Sequence, residues 1–512
     1  MMLLDLPNEL LLQVMQQLLN VQDSKSLRNS ALTCKALREV AEIHLYSTAK
    51  FTKLSSLYHF MDAHRREPKR KEYLRSLELL YSTERYDNYQ MPYPPDLTSF
   101  PCLTSFVSES PECQPRSVKG THWGQFMTSY IAAFKKASLL NDLVESPKPL
   151  HNLTSLTLHW SGASERFWNI SPTCPIFLLP QLESLEISCA RVGQDEPEDQ
   201  ESEDAADRFQ HQTRLKSLTF IECVVSAEAL HTILSFPSAL RRLTLCEKFY
   251  HHYEVGDRFA ANDDEPLNLA IAQQSRTLEH LHIHCQASYM RRREGLSLSL
   301  SDFPVLSHLQ LGPFPTARPD AAHCSNYTLS RPVPPALSSL RIDHYGISML
   351  KSSIANRVFS ELAIDDLLRN AESRGQPFTF DISLHGSPPL LRRPGFHGQD
   401  HRQIVGKYAE ELGKDFRRRL KPPIRWDSEP SSSEQVLGEP TPSRLRILTN
   451  KLRHKIPPFL HNEGPQRFVV RYDSSLSEKV LGDPYPIDEL PSDRDMSSED
   501  EDMDAAFGNA GL

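Results

Sequence analysis

The run Leu281-His282-Ile283-His284-Cys285 sets two imidazoles and a thiol within five residues. On a strand, alternate residues share a face, so His282 and His284 would stand about 7 Å apart on one side, with Leu281 and Ile283 on the other. A zinc centre needs a third ligand and usually a fourth, and the pattern offers only the distant His159. The segment therefore reads as surface histidines and no metal is expected. Other chemistry is as thinly supplied. No Gly-x-Ser-x-Gly is present and no cysteine stands in a recognisable Cys/His context, so a hydrolase nucleophile is lacking. Gly346 to Ser352 has the Lys-Ser of a phosphate loop but not the second glycine before Lys351. With 19 glycines in 512 residues, designs that bring backbone against phosphate are disfavoured. The expectation is a noncatalytic chain with no cofactor.

The elements that would position these side chains follow one hexad, Leu-x-x-Leu-x-Leu. It occurs at Leu74/Leu77/Leu79, Leu153/Leu156/Leu158, Leu182/Leu185/Ile187, Leu215/Leu218/Phe220, Leu240/Leu243/Leu245, Leu278/Leu281/Ile283, Leu306/Leu309/Leu311 and Leu337/Leu340/Ile342, with a degenerate copy at Leu103/Phe106. From Leu153 onward the copies recur at intervals of roughly 25 to 38 residues, around or just above the upper end of leucine-rich repeat lengths. The last two apolar residues of each hexad are two apart, so on a short strand both face a core while the residue between them faces out. This predicts an α/β chain with a curved parallel sheet. Ser226 can cap a helix bearing Leu230, Ile233 and Leu234, Pro266 can open one bearing Leu269, Ala270 and Ile271, and Trp123–Leu140 and Val358–Leu368 read as further helices. Phe378–Leu384 alternates as a closing strand. The outward positions Thr157, His159, Glu186, Ser188, Thr219, Thr244, His282, His284, Gln310, Arg341 and Asp343 are mixed in charge, which suits a protein target better than a phosphate-rich one.

Leu4 to Tyr46 carries a different period. Pro7 suits a first helical position and Glu9 the positive end of the helix dipole, while Leu10, Val14 and Leu18 repeat at every fourth residue with Leu11 and Met15 beside them. Asp23 or Ser24 can cap a second helix with Leu27, Ala31 and Leu32, and Leu37, Val40, Ala41 and Leu45 mark a third. Three helices over about forty residues bury little surface, so the stripe should meet a partner. Leu6-Pro7-x-Glu9-Leu10, Val14, Leu18, Leu27, Leu32, Thr33-Cys34-Lys35 and Leu37 resemble the F-box. That segment docks F-box proteins onto the Skp-type adaptor of an SCF (cullin–RING) ubiquitin ligase. In this sequence Leu37 stands where an aromatic often follows the Cys-Lys pair, and the usual Asp-Leu pair is spread over Asp23 to Leu27. The resemblance implies adaptor contact by Leu6, Pro7, Glu9, Leu10, Leu11, Val14, Leu18, Leu27, Leu32, Cys34 and Leu37. Several hexads follow a Pro with an apolar neighbour, at Leu179-Pro180, Phe236-Pro237, Phe303-Pro304 and Val333-Pro334-Pro335, with Phe100-Pro101 before the degenerate copy, and these resemble the irregular leucine-rich repeats of many fungal F-box proteins.

Composition narrows the rest. A formal charge of −9 with pI near 6.2 argues against a general nucleic-acid binder. Nine scattered cysteines without a Cys-x-x-Cys pair suggest reduced thiols, and neither a secretory signal nor a run of about 18 apolar residues is expected. The basic runs His64–Lys71 and Lys414–Arg419 could serve nuclear import, though such runs are more often solvated faces. Gln194–Asp207 reads as an acidic inserted loop. The expected organisation is 1–46 F-box, 47–385 leucine-rich-repeat solenoid and 386–512 a mostly disordered tail. The expected function is the substrate-recognition subunit of an SCF ligase, cytoplasmic or nuclear, binding no nucleic acid or membrane. The alternatives are a non-ligase repeat scaffold and, last, an enzyme with an unrecognised site.

Overall fold

The computed structural model describes residues 6–20, 24–80, 94–110, 123–141, 148–160, 167–193, 207–246, 264–284, 296–314, 327–329, 332–344, 367, 369–370 and 373–385, and the backbone of strands at 445–451, 466–473 and 487–489. The helices are α1 (Asn8–Asn20), α2 (Ser24–Thr33), α3 (Lys35–Leu45), α4 (Leu54–Arg66), α5 (Trp123–Ala137), α6 (Ala227–Ser235) and α7 (Asp264–Ala272). Strands β1 to β10 are Thr48–Phe51, Ser76–Leu80, Ser105–Glu109, Ser155–His159, Trp168–Ile170, Ser184–Ser188, Ala190–Val192, Ser217–Ile221, Val224–Val225 and Arg242–Cys246. Strands β11 to β19 are His280–His284, Leu296–Leu298, His308–Phe314, Tyr327–Leu329, Ser339–His344, Thr379–His385, Leu445–Lys451, Gln466–Asp473 and Ile487–Glu489. Eleven parallel strands follow chain order, β1-β2-β3-β4-β6-β8-β10-β11-β13-β15-β16. By contact the chain divides into two compact units, the first formed by Met1–Leu218 with Ser235–Ser238, the second by Thr219–Leu234 and Ala239–Met496.

In the first unit the helical N-terminus starts where Pro7 places it, its carbonyl accepting from the amides of Leu10 and Leu11 at 3.0 and 3.1 Å. Cys34, in extended conformation, separates α2 from α3, and Arg38 Nε reaches back to the Ala31 carbonyl. Leu11, Met15, Leu27, Leu37, Val40 and Ala41 close into a small core of their own. Each hexad then builds one strand. Its first leucine lies in a tight turn, as in Leu103 N to Phe100 O, Leu153 N to Leu150 O and Leu182 N to Leu179 O. Its last two apolar residues lie on the strand and are buried throughout, from Leu77 and Leu79 to Leu185 and Ile187. Strands β3, β4 and β6 also begin alike, two successive amides donating to one carbonyl, that of the residue just before the preceding strand: Thr104 and Ser105 to Arg75, Thr154 and Ser155 to Thr104, Glu183 and Ser184 to Thr154. This pins the register, in which Leu77 faces Phe106, Phe106 faces Leu156 and Leu156 faces Leu185.

The second unit repeats the device, with Glu279 and His280 donating to Arg241 and Ser307 and His308 to Glu279. Leu243, Leu281, Leu309, Leu340 and Phe380 form one buried row and Leu245, Ile283, Leu311 and Ile342 the next. Helix α6 starts at the expected cap, Ser226 Oγ accepting from Ala229 N at 3.0 Å, and buries Leu230, Ile233 and Leu234. Gln274 brackets the following turn: its Oε1 accepts from Leu240 N and its Nε2 donates to Leu234 O.

Several expectations need correction. The layer between strands is only partly helical: α5, α6 and α7 form it at three places, while short 3-10 turns at Leu97–Ser99 and Pro175–Leu178 serve elsewhere. On α7, Leu269 is exposed while Leu267, Ala270 and Ile271 are buried. Strand β16 forms as expected but does not close the sheet. Strand β18 pairs with it antiparallel, β17 pairs antiparallel with β18, and β19 runs parallel to β17. The segment from 386, expected to be mostly disordered, thus holds these three strands, the central one, β18, carrying the consecutive apolar run Phe468-Val469-Val470. Helix 358–368 lies outside the described residues except Leu367, and the loop Gly346–Ser352, the run Lys414–Arg419 and the acidic insert up to 206 lie outside them entirely.

Candidate docking surfaces

On α1, Leu10 is 43 % and Val14 38 % exposed, and Leu32, at the end of α2, is 74 % exposed. Leu10 and Val14 are one turn apart and share a face. Leu11 and Met15, one residue on, face the core instead. The amphipathic helix thus splits its apolar stripe between its own core and solvent. Of the expected adaptor residues, Leu10, Val14, Leu32, Pro7 and Glu9 are exposed, and Leu6, Leu18 and Cys34 are half-buried against the core. Leu11, Leu27 and Leu37 are buried, which corrects their assignment: three small helices cannot stand without them, so they support the surface from beneath.

A latch ties α3 to the turn after α4. Arg70, in the 3-10 turn Pro68–Glu72, donates Nη2 to Glu42 Oε1 at 2.6 Å and Nε to Oε2 at 3.3 Å, and its guanidinium lies 4.7 Å from the Tyr46 ring centroid. Burial alone would lower the Arg70 pKa, but the Glu42 bond and the nearby Tyr46, Glu42 and Glu67 hold it above its ordinary value. Burial raises the Tyr46 phenol, with Arg70 and Glu42 opposing each other. His64 sits edge-on to Tyr46, Phe60 and Phe100; burial first, then the charges of Arg70 and Lys71, push its pKa down to about 4. The basic run His64–Lys71 is thus no uniform solvated face: Arg65, Arg66 and Lys69 are exposed while His64 and Arg70 are structural.

On the sheet, Thr157, Glu186, Thr219, Thr244, His282, Gln310 and Arg341 lie on the solvent-facing side and are half-buried, as alternation requires. The backbone of Asp343 lies on β15, paired with Ser383. Three expected contacts are corrected: His159, Ser188 and His284 are buried. Each ends its strand. Beside His159 and Ser188 the chain turns sharply at Cys189, whose φ of 57° is left-handed, into the short parallel pair β5-β7. Trp168 Nε1 donates to Ser188 O, Trp168 N donates to Cys189 O, and Cys189 Sγ lies 3.9 Å from His159 Nδ1, so the second pair of strands covers the end of the first. Trp160 packs 5.0 Å from Trp168 and donates Nε1 to Ser108 Oγ at 2.9 Å. Local alternation had no signal for this cover.

His282 and His284 stand with ring centroids 6.3 Å apart and perpendicular, and no group of three or more metal-ligating side chains comes together among the described residues. A hollow lined by Ala137, Lys148, Leu150, His151 and Pro180 holds one ammonium, which donates to Ser138 O and Asn141 O at 3.0 and 2.8 Å. No described helix is long and apolar enough to cross a membrane.

No curated protein matches this sequence. A family model described as F-box-like matches residues 3–52, the span that holds α1, α2, α3 and β1. The chain therefore carries an F-box-like domain at its N-terminus, which supports its reading as an F-box protein associated with SCF-type ubiquitin ligases.

Proposed function

We propose that this chain is the substrate-recognition subunit of an SCF (cullin–RING) ubiquitin ligase, noncatalytic itself, with irregular leucine-rich repeats of the fungal kind after its F-box. The reading rests on one observation: the F-box-like segment has a closed core of its own and still exposes Leu10 and Val14 on α1 and Leu32 at the end of α2. An apolar face kept in solvent beside a completed core is what a docking partner would cover. Skp-type adaptor binding is the typical role of such a domain. The solvent-facing strand residues would hold a protein target, and ubiquitin transfer on other subunits would gain from proximity alone. Such a subunit works in the cytoplasm or nucleus.

Affinity capture of the full chain with purified Skp-type adaptor and cullin–RING subunits tests this. Stoichiometric assembly is expected. A well-folded chain that captures no adaptor at micromolar concentration would overturn the proposal.

A further inference from the structure

In the parallel sheet the first residue of each strand stands just before an inward apolar side chain and lies on the opposite, solvent-facing side. In β1, β2, β3, β4, β6, β8, β15 and β16 it is a small hydroxyl residue: Thr48, Ser76, Ser105, Ser155, Ser184, Ser217, Ser339 and Thr379. The scaffold is therefore satisfied by Ser or Thr there. The exceptions are three strands in succession, β10, β11 and β13, which carry Arg242, His280 and His308. They are direct partners in the ladder, Arg242 with His280 and His280 with His308, about 4.8 Å apart from strand to strand.

We propose that Arg242, His280 and His308 form a docking row for a carboxylate-rich segment of a protein partner. The proposal deepens the substrate-receptor reading and rests on it for its biological use.

Geometry and charge point the same way. The two imidazoles are stacked, centroids 4.2 Å apart and planes 20° from parallel. Ser307 Oγ has one hydrogen and donates it to Glu279 O at 3.1 Å, so the 2.8 Å bond between Ser307 Oγ and His308 Nδ1 runs from the ring nitrogen. That tautomer leaves His308 Nε2 as the proton acceptor. Arg242 is exposed and has no ion pair among the described residues, because the nearby carboxylate, Glu279, pairs with Arg241 at 3.6 Å. Ser339, next in the row, adds a hydroxyl donor. By register and contact the charged and titratable groups around the stack are Arg242 on β10, Glu279 just before β11 with Arg241 paired to it, His282 on β11 and, beyond Gln310, Arg341 on β15.

Burial first, and then the cationic neighbours, hold both histidines below their ordinary pKa, with Glu279 opposing. A bound carboxylate reverses that balance and brings protons with it. Glutamates stay ionised near pH 6 while imidazoles gain charge, so binding tightens as pH falls.

The test is fluorescence anisotropy of fluorescein-labelled octaglutamate titrated with the full chain, without adaptor, at about pH 7.5 and about pH 6. Expected are binding several-fold tighter at the lower pH, no binding of labelled octalysine, and a loss of about tenfold or more in Arg242→Ser/His280→Ser/His308→Ser together with the pH dependence. Serine is what neighbouring strands hold, so the variant keeps the scaffold's own residue; His280→Gln/His308→Gln, which keeps planar side chains, is the second variant should the first not fold. Equal binding by wild type and either folded variant, no tightening on acidification, or binding of oligouridylate in place of octaglutamate would overturn the proposal. Adaptor capture is measured separately, so failure here and failure of the ligase reading are distinguishable.

Discussion

Arg70→Met removes the guanidinium that ties α3 to the turn after α4 while keeping most of the side chain's length. An exposed ion pair would be worth under about 1 kcal/mol. Here the Arg70 and Glu42 side chains are only 21 % and 17 % exposed, so solvent screens them less. The fork makes two charge-assisted bonds, at 2.6 and 3.3 Å, each of a kind worth about 1.5–3 kcal/mol, and the Tyr46 ring adds about 1 kcal/mol of cation–π attraction. Part of this offsets desolvation, which leaves about 2–4 kcal/mol as the expected loss of local stability. Glu42→Gln should lose about 1–2 kcal/mol, since an amide still accepts one bond. The double variant leaves no buried charge unpaired and should lose less than the sum, by about 1–3 kcal/mol. Hydrogen exchange of the α3 amides in the full-length protein reads the opening free energy of that segment in all four proteins. Additive losses, or a loss under about 0.5 kcal/mol in Arg70→Met, would refute the latch.

Three further outcomes rest on packing and titration. Ile283→Ala, at a fully buried position, should destabilise the second unit by about 2–5 kcal/mol in chemical denaturation, and His282→Ala, half-exposed beside it, by under about 1 kcal/mol. Gln274→Leu strands the amide of Leu240 and the carbonyl of Leu234 and should cost about 2–4 kcal/mol by the same measurement, whereas Gln273→Leu, exposed in part, should cost far less. His64 has its folded pKa depressed to about 4 from 6.5, so the unfolded chain binds the extra proton between those values. Its stability contribution is complete above about pH 6.5 and lost as pH falls toward about 4. His64→Phe should flatten that acid limb in thermal melts across the range; an unchanged slope would contradict the burial argument.

Much of this was readable because it is local. Pro7, the fourfold spacing of Leu10, Val14 and Leu18, and Cys34 between two short helical runs are helix signals that need no distant partner, and they became α1, α2 and α3. Each hexad likewise carries its own period of two, so Leu156/Leu158 and Leu281/Ile283 went inward without exception. What failed was non-local. The strand-ending residues His159 and Ser188 obey alternation and are nonetheless buried, because the left-handed turn at Cys189 and the short strands at Trp168 and Ala190 fold over them. The division of the α1 stripe was also hidden: Leu10 and Leu11 are equally apolar, and the positions of α2 and α3 decide which is covered. The antiparallel strands past 445 come after a long stretch rich in Pro, Ser and charge, whose composition masked the short runs Leu445–Leu448 and Phe468–Val470.

The central claim is that the exposed face of α1 docks the adaptor. It is tested most directly by the affinity of the full chain for a Skp-type adaptor, measured for wild type, Leu10→Asp/Val14→Asp, and Leu269→Asp. Leu269, 58 % exposed on α7, controls for the general effect of placing a charge on a surface leucine. Losing two apolar contacts and burying two carboxylates should weaken the interface by more than about 3 kcal/mol, at least a hundredfold, while Leu269→Asp binds as wild type. Equal affinity for all three proteins, or an equal loss in both variants, would contradict the account.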